Sequence, residues 1–223
     1  MIDVRDLLVI VPSRGRPGNV RRLREALAAT GAVCDFLIAI DDDDPTALEY
    51  SQLPQPPGFI VVTDPRRRLG PTLNVKAVAH TRAYRNIGFM GDDHCPQTWG
   101  WDRRVVMALQ DTPMCYGNDL LQGRNLPTAV FMRSQIIQKL GYMCPPEQTH
   151  LYLDDFWLAL GGRIGITYMG DVIIEHLHPG NGKAPMDASY AETGSQEMYA
   201  KDKAAYERYL DTQFEKDVAV LCE

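Results

Sequence analysis

The sequence predicts an α/β domain: a Rossmann-like, mostly parallel sheet flanked by helices, with a helical tail at the C-terminus. Two observations carry this reading. The strand-like runs are apolar without alternation, as strands are when helices cover both faces of a sheet. Stretches with helical periodicity separate those runs, which is the pattern of βαβ units. The first strand is "LLVIVP", residues 7–12. A Gly/Pro/Arg loop leads to a helix over residues 20–30, with Val20, Leu23 and Leu27 at helical spacing. "CDFLIAID" (34–41) and "GFIVVTD" (58–64) read as the second and third strands. Pro71, which has no backbone N–H to satisfy, suits the first position of a helix through Tyr84. "NIGFMGDD" is the fourth strand and "WDRRVVMALQ" the helix after it. In the second half "TAVFMR" reads as a strand, and "SQIIQKLG" and "LDDFWLALG" as helices. "RIGITYMGDVIIEHLHP" reads as one or two strands, and a Gly/Pro/Asn/Lys loop precedes a charged helical tail from about Gly194.

At 223 residues, 45% hydrophobic and 23% charged, the chain has the size and balance of one soluble globular domain. No Pro/Ser-rich linker divides it, so residues 1–223 are read as a single domain. The five cysteines, Cys34, Cys95, Cys115, Cys144 and Cys222, form no CxxC pair. That argues against a zinc knuckle or a disulfide framework and for a reducing, cytoplasmic compartment. The first apolar run is too short for a signal peptide, and no segment reaches membrane-spanning length. A net charge of −6 gives no general attraction to nucleic acid or anionic lipid. Two local basic groups, one from Arg14 to Arg24 and one at Arg66, Arg67 and Arg68, suit a smaller phosphate-bearing ligand.

Four strands end in polar clusters: "PSRGRP", "DDDDP", "TDPRRR" and "GDDH". Taken singly, each is an ordinary solvated turn. In an open α/β sheet ligands bind beyond the carboxyl ends of the strands, so parallel strands bring all four clusters to one edge. A core without a ligand has little reason to crowd like charges there, because they repel. Asp92 and Asp93 beside His94 offer the oxygen and nitrogen donors that Mg²⁺ or Mn²⁺ accepts alongside water and phosphate oxygens. An exposed turn capped by Asp92 is the other reading of the same residues.

In order, "LLVIVPSRGRP", "IAIDDDDP" and "LGPTLNVKAVAHTRAYRNIGFMGDDH" resemble the nucleotide-sugar half of glycosyltransferases with the A-type fold, particularly those related to family 2. The resemblance covers roughly residues 7–95; "YLDDFWLALG" resembles the acceptor-site segment, and "IIEHLHP" the strand that supplies a metal-binding histidine. It implies a nucleotide-sugar half over 1–95, an acceptor half over 96–190 and a tail over 191–223. The implied activity is metal-dependent transfer of a sugar from a nucleoside-diphosphate sugar, with a UDP-sugar favoured, to an acceptor hydroxyl. The implied cofactor is Mn²⁺ or Mg²⁺. Substrate contacts fall on Pro12, Ser13, Arg14, Arg16, Asp42, Asn74 and Asp92, and metal ligation on Asp93, His176 and His178. In the acid pair Asp154–Asp155, Asp155 takes the place of the general base, which implies an inverting displacement. Gly91 stands where the family often has its first motif acid, so Asp93 is either the last motif position or the middle of an Asp92-Asp93-His94 set. His94 stays open between ligand and bystander.

The chemistry of these residue types agrees with the implied roles and also has plainer explanations. Guanidinium forks suit phosphate oxygens, but Arg16 reads equally as a surface arginine. A carboxylate takes a proton from a hydroxyl when burial or a like charge raises its pKa. Asp154 and Asp155 also suit the first turn of a helix through its dipole. Trp157 reads as a sugar-packing ring or as core. Strand alternation puts His176 and His178 on one face. Lys183, in a loop with Gly180 and Gly182, reads as a phosphate contact on a lid. The compact build favours a soluble acceptor, a modified DNA base of a bacteriophage among the options. Two rivals remain: a nucleotidyltransferase, whose glycine-rich loop "PSRGRPGN" matches poorly, and a nucleotide- or glycan-binding protein without turnover.

Overall fold

The structure, a computed structural model, describes residues 6–223. Among the described residues the strands are β1 (Leu7–Ser13), β2 (Asp35–Asp41), β3 (Phe59–Asp64), β4 (Asn86–Phe89), β5 (His94–Pro96), β6 (Met114–Asn118), β7 (Val130–Arg133) and β8 (Ile166–His176). The helices are α1 (Pro17–Ala29), α2 (Ala47–Ser51), α3 (Leu69–His80), α4 (Trp101–Asp111), α5 (Ser134–Leu140), α6 (Leu153–Ile164), α7 (Ala188–Thr193), α8 (Gln196–Thr212) and α9 (Phe214–Cys222). The strands form one sheet in the order β3-β2-β1-β4-β7-β6-β8-β5. β1 to β4 pair in parallel, as do β6 and β8. β7 lies antiparallel between β4 and β6, and β5 runs antiparallel to β8. The sheet is therefore mostly parallel, as the unalternating strands predict.

β1 shows why those strands carry no polar side. Leu7, Val9 and Val11 enter one core with Val20 and Leu23 of α1 and Trp101 and Val105 of α4. Leu8 and Ile10 enter the opposite core with Leu73 of α3, Phe156 and Trp157 of α6, and Phe214 and Val218 of α9. Each such side chain, fully buried, contributes about 1.5–3 kcal/mol relative to exposure. A charge at Val9 would meet neither water nor a partner on its face. β1 pairs with β2 on one side and β4 on the other, and the crevice beyond β1 and β4 is the switch point where such sheets bind ligands.

Several elements differ from the sequence expectation. α1 starts at Pro17, which takes the start signal expected of a later residue. α3 starts at Leu69, so Pro71 sits within the first turn, where a missing N–H costs no hydrogen bond. It ends at His80, not Tyr84. The segment "RIGITYMGDVIIEHLHP" holds one long strand, β8, with a register shift opposite Gly117 and Asn118. β6 and α7 arise where no element is predicted. The tail is not an appendage: Tyr209, Phe214 and Val218 are part of the second core. Among the described residues no helix is long and apolar enough to cross a membrane.

Candidate active site

Beyond β1 and β4 the chain forms a cleft of about 480 Å³. Ser13, the last residue of β1, donates its hydroxyl to Asp92 Oδ2 at 2.5 Å and lies 2.8 Å from the Tyr50 hydroxyl. Asp92 Oδ1 also accepts from Asn19 Nδ2 at 3.2 Å and from the Arg16 guanidinium at 3.4 Å. Burial, and after it the charge of Asp93, pushes the Asp92 carboxyl up to about 6. Asp93 Oδ2 accepts the Tyr190 hydroxyl at 2.6 Å and lies 3.4 Å from His176 Nε2. Asp93 Oδ1 lies 3.4 Å from His94 Nδ1. Burial opposes the Asp93 charge, but hydrogen bonding and charge from His176 outweigh it and hold this carboxyl well below the usual range. Of the two adjacent acids, Asp93 holds its charge the more firmly. A Cβ on Gly91 would lie 2.5 Å from Asp93 Oδ1 and 3.0 Å from His94 Nδ1, so no side chain fits there.

Asp93, His94 and His176 bring ligand atoms within 4.8 Å of one another. The two imidazoles stack, with centroids 4.3 Å apart and planes at 17°. His94 Nδ1 accepts the Gly91 N–H at 3.1 Å, while its Nε2 lies 3.3 Å from Thr128 Oγ1, whose hydroxyl goes to Asp119 Oδ2 at 2.8 Å. That network assigns the proton to Nε2 and commits the Nδ1 lone pair to Gly91. Burial and the neighbouring His176 charge lower the His94 pKa. Burial also works against a charged His176, but Asp93 prevails and the net shift is upward. His176 Nδ1 is buried with no hydrogen-bond partner, 3.9 Å from Asp119 Oδ2. One ionised carboxylate with two imidazoles fits a divalent cation, and the nitrogen donors suit Mn²⁺ better than Mg²⁺. His178 stands outside this group. β8 ends at His176, so alternation does not carry to 178; His178 Nδ1 accepts the Gly180 N–H at 3.0 Å, and its ring meets Tyr190 edge-on at 4.9 Å.

The cleft walls place the other predicted residues. Pro12, Arg14 and Arg16 line it, with Arg14 paired to Asp41 at 3.0 Å and to Asp43. Of the four-aspartate run, Asp41 lines the cleft, whereas Asp44 is buried and accepts from Gly15 N and Thr46 N, both at 2.8 Å. Asp42, expected as a substrate contact, is exposed and outside the cleft; the turn built around Asp44 points it to solvent. The Asn74 side chain clamps the backbone of Met143 and Cys144 at 2.8–3.0 Å and is not among the cleft walls. Lys183 pairs with Glu175 and is absent from the walls, because its loop turns back along β8. Trp157 belongs to the core that floors the cleft; it is 1% exposed, donates Nε1–H to Met143 O at 2.9 Å and packs on Phe89. A second, polar recess of about 470 Å³ opens around Tyr84, Arg85 and Arg133, with no acid–histidine group in its walls.

α6 brings the acid pair. Asp154 lines the cleft, and burial followed by the charge of Asp155 pushes its carboxyl up to about 6. Asp155, raised by burial, is not among the cleft walls. The loop before α6 is held from α8: buried Asp202 accepts from Thr149 Oγ1 at 2.7 Å, His150 N at 2.7 Å and Leu151 N at 2.8 Å. This presents His150 to the cleft, where burial lowers its pKa to about 4. Sequence reasoning passed over His150, Asp187, Tyr190 and Glu192, and reached Asp41 only as one of the four aspartates at the end of the second strand.

No protein-family model matches the sequence, and no curated protein matches it. Solved structures match the fold. A mannosyltransferase from Pyrobaculum calidifontis, in complex with GDP-Man and Mn²⁺, has a TM-score of 0.63 and 11% identity, over 97% of this chain and 73% of its own. Glucosyl-3-phosphoglycerate synthase from Mycobacterium tuberculosis, in complex with Mn²⁺, UDP and glucosyl-3-phosphoglycerate, has a TM-score of 0.59 and 12% identity, over 88% and 78%. At such identities the likeness is one of fold. The architecture is the A-type glycosyltransferase fold.

Proposed function

We propose that the chain is a metal-dependent glycosyltransferase that moves a sugar from a nucleoside diphosphate to an acceptor hydroxyl. One observation carries this reading: Asp93 and His176 meet at the β1–β4 switch point, in a cleft whose walls hold Arg14, Arg16, Arg66, Arg68 and Asp154. The matched structures with bound GDP-Man or UDP and Mn²⁺ support it by analogy of fold. Asp93 and His176 would hold Mn²⁺ or Mg²⁺, with His94 joining if its Nδ1 gives up the Gly91 N–H. Such an ion neutralises a diphosphate as it departs. Pro12, Arg14 and Asp41 would face the nucleoside, and the arginines the phosphate oxygens.

Asp154 takes the base role. Its carboxyl, raised to about 6, is ionised at neutral pH and basic enough to receive the acceptor hydroxyl proton. The acceptor oxygen then forms a bond to the anomeric carbon as the bond from that carbon to the diphosphate breaks. The nucleoside diphosphate leaves as the anion, and one displacement inverts the centre. The test is a thermal-shift panel of UDP-, GDP-, ADP- and dTDP-sugars with and without Mn²⁺. Stabilisation by one of them that needs Mn²⁺ and disappears in Asp93→Ala is the expected result. A folded protein that answers none of them is not a nucleotide-sugar enzyme.

A further inference from the structure

The arginines that the proposed reaction needs for phosphate are already occupied by the chain's own acids. Asp187 takes Arg16 with both carboxylate oxygens, Nε and the terminal nitrogen each at 2.8 Å. The other terminal nitrogen of Arg16 faces Asp92, and its guanidinium carbon sits 4.0 Å over the Tyr190 ring. Arg16 thus has no fork left for a phosphate while Asp187 is in place. On the next turn Glu192 pairs with Arg68 at 2.6 Å and with Arg66 at 3.6 Å. Between these acids the Tyr190 hydroxyl covers Asp93. Asp187 and the α7 helix therefore match, group for group, what a metal-bound diphosphate would contact.

The same segment is lightly anchored. α7 has no buried residue, and neither hydrophobic core takes a side chain from residues 180–195. Gly182 turns in the left-handed region at φ 72°, and Gly194 caps the far end. The side chains of Glu192, Arg66 and Arg68 are 38–44% exposed, where ion pairs are individually weak, while the bidentate Arg16–Asp187 pair is open to solvent only on its Asp187 side. A ligand that offers the arginines a more highly charged anion competes with them easily.

Resting on the reading of this cleft as a diphosphate site, we propose that α7 is an acidic strap: Asp187 and Glu192 stand in for phosphates and are displaced when a nucleoside diphosphate binds. The experiment compares wild-type protein with Asp187→Asn/Glu192→Gln, using UDP and GDP with Mn²⁺ as probes. Titration calorimetry reads affinity, and trypsin cleavage after Lys183 reads strap release. In the double variant, nucleotide affinity should rise about tenfold, and cleavage should be fast without ligand. In wild type, nucleotide should accelerate the same cleavage. Glu192→Gln alone, which frees only Arg66 and Arg68, should move both readouts less in the same direction and serves if the double variant does not fold. Wild type that binds nucleotide while the variant binds equally or more weakly overturns the strap and leaves the site reading standing. So does nucleotide that protects the Lys183 bond. If neither protein binds UDP or GDP, nor the ADP and dTDP of the wider panel, the diphosphate reading falls and the strap falls with it.

Discussion

Two adjacent side chains on a helix point about 100° apart, so one of Asp154 and Asp155 faces the cleft more directly than the other. The helix rotation decides which, and Leu153, Phe156, Trp157 and Leu160 fix that rotation by facing the core. The expected consequence is unequal: Asp154→Asn lowers kcat by about 10²–10⁴-fold, while Asp155→Asn stays within a few-fold. Steady-state kinetics on both variants checks this, and equal losses would return the base role to Asp155. Since a base must be ionised to act, kcat/KM should climb as pH rises through about 6 and level off above it. The pair itself was legible as acids opening a helix; the choice between its members was not, because it depends on what the rest of the helix buries. Gly91 gives the complementary case. Its missing acid looked like a departure from the family pattern, and the cause is steric crowding by Asp93 and His94, visible only with the side chains in place.

At the scale of elements, α8 acts on the cleft without entering it. Asp202 is fully buried and accepts four hydrogen bonds from residues 149–151, fixing the loop that leads into α6 through Tyr152 at φ 63°. Removing that carboxylate leaves backbone donors without partners, so Asp202→Ala should cost about 3 kcal/mol, read by urea denaturation. Burial opposes the Asp202 charge, but the hydrogen bonds win and the pKa is lowered. A lowered folded-state pKa contributes stability that is fully present above the unfolded value near 4 and is lost as pH falls through the folded one. The variant should therefore show a shallower loss of stability in acid. Nothing near Asp202 in sequence announces this role, since its partners lie more than fifty positions earlier. β1 to β4 were legible because burial on both faces writes itself into the residues. β6 was not, because "MCYGN" is short and follows Pro113 without a periodic signal.

Across the whole molecule, the residues brought to one cleft come from distant stretches, among them Pro12 to Arg16, Asp41, Arg66 to Arg68, Gly91 to His94, His150 to Asp154, and His176 to Glu192. The first four could be placed together from sequence, since parallel strands share an edge. The last two were reached only through the resemblance, since α6 brings Asp154 and antiparallel β5 joins β8 to align His94 with His176. That pairing also sets an order in time. A ribosome adding roughly 5–20 residues per second delivers His176 several seconds after His94. Until then the Asp93 carboxylate has no histidine from β8, and β6 has no parallel neighbour. A nascent chain stalled before β8 should bind neither Mn²⁺ nor nucleotide, testable with ribosome-arrested chains of graded length. The earliest-made half of the cleft thus waits, chemically incomplete, for nearly the last part of the protein to be written.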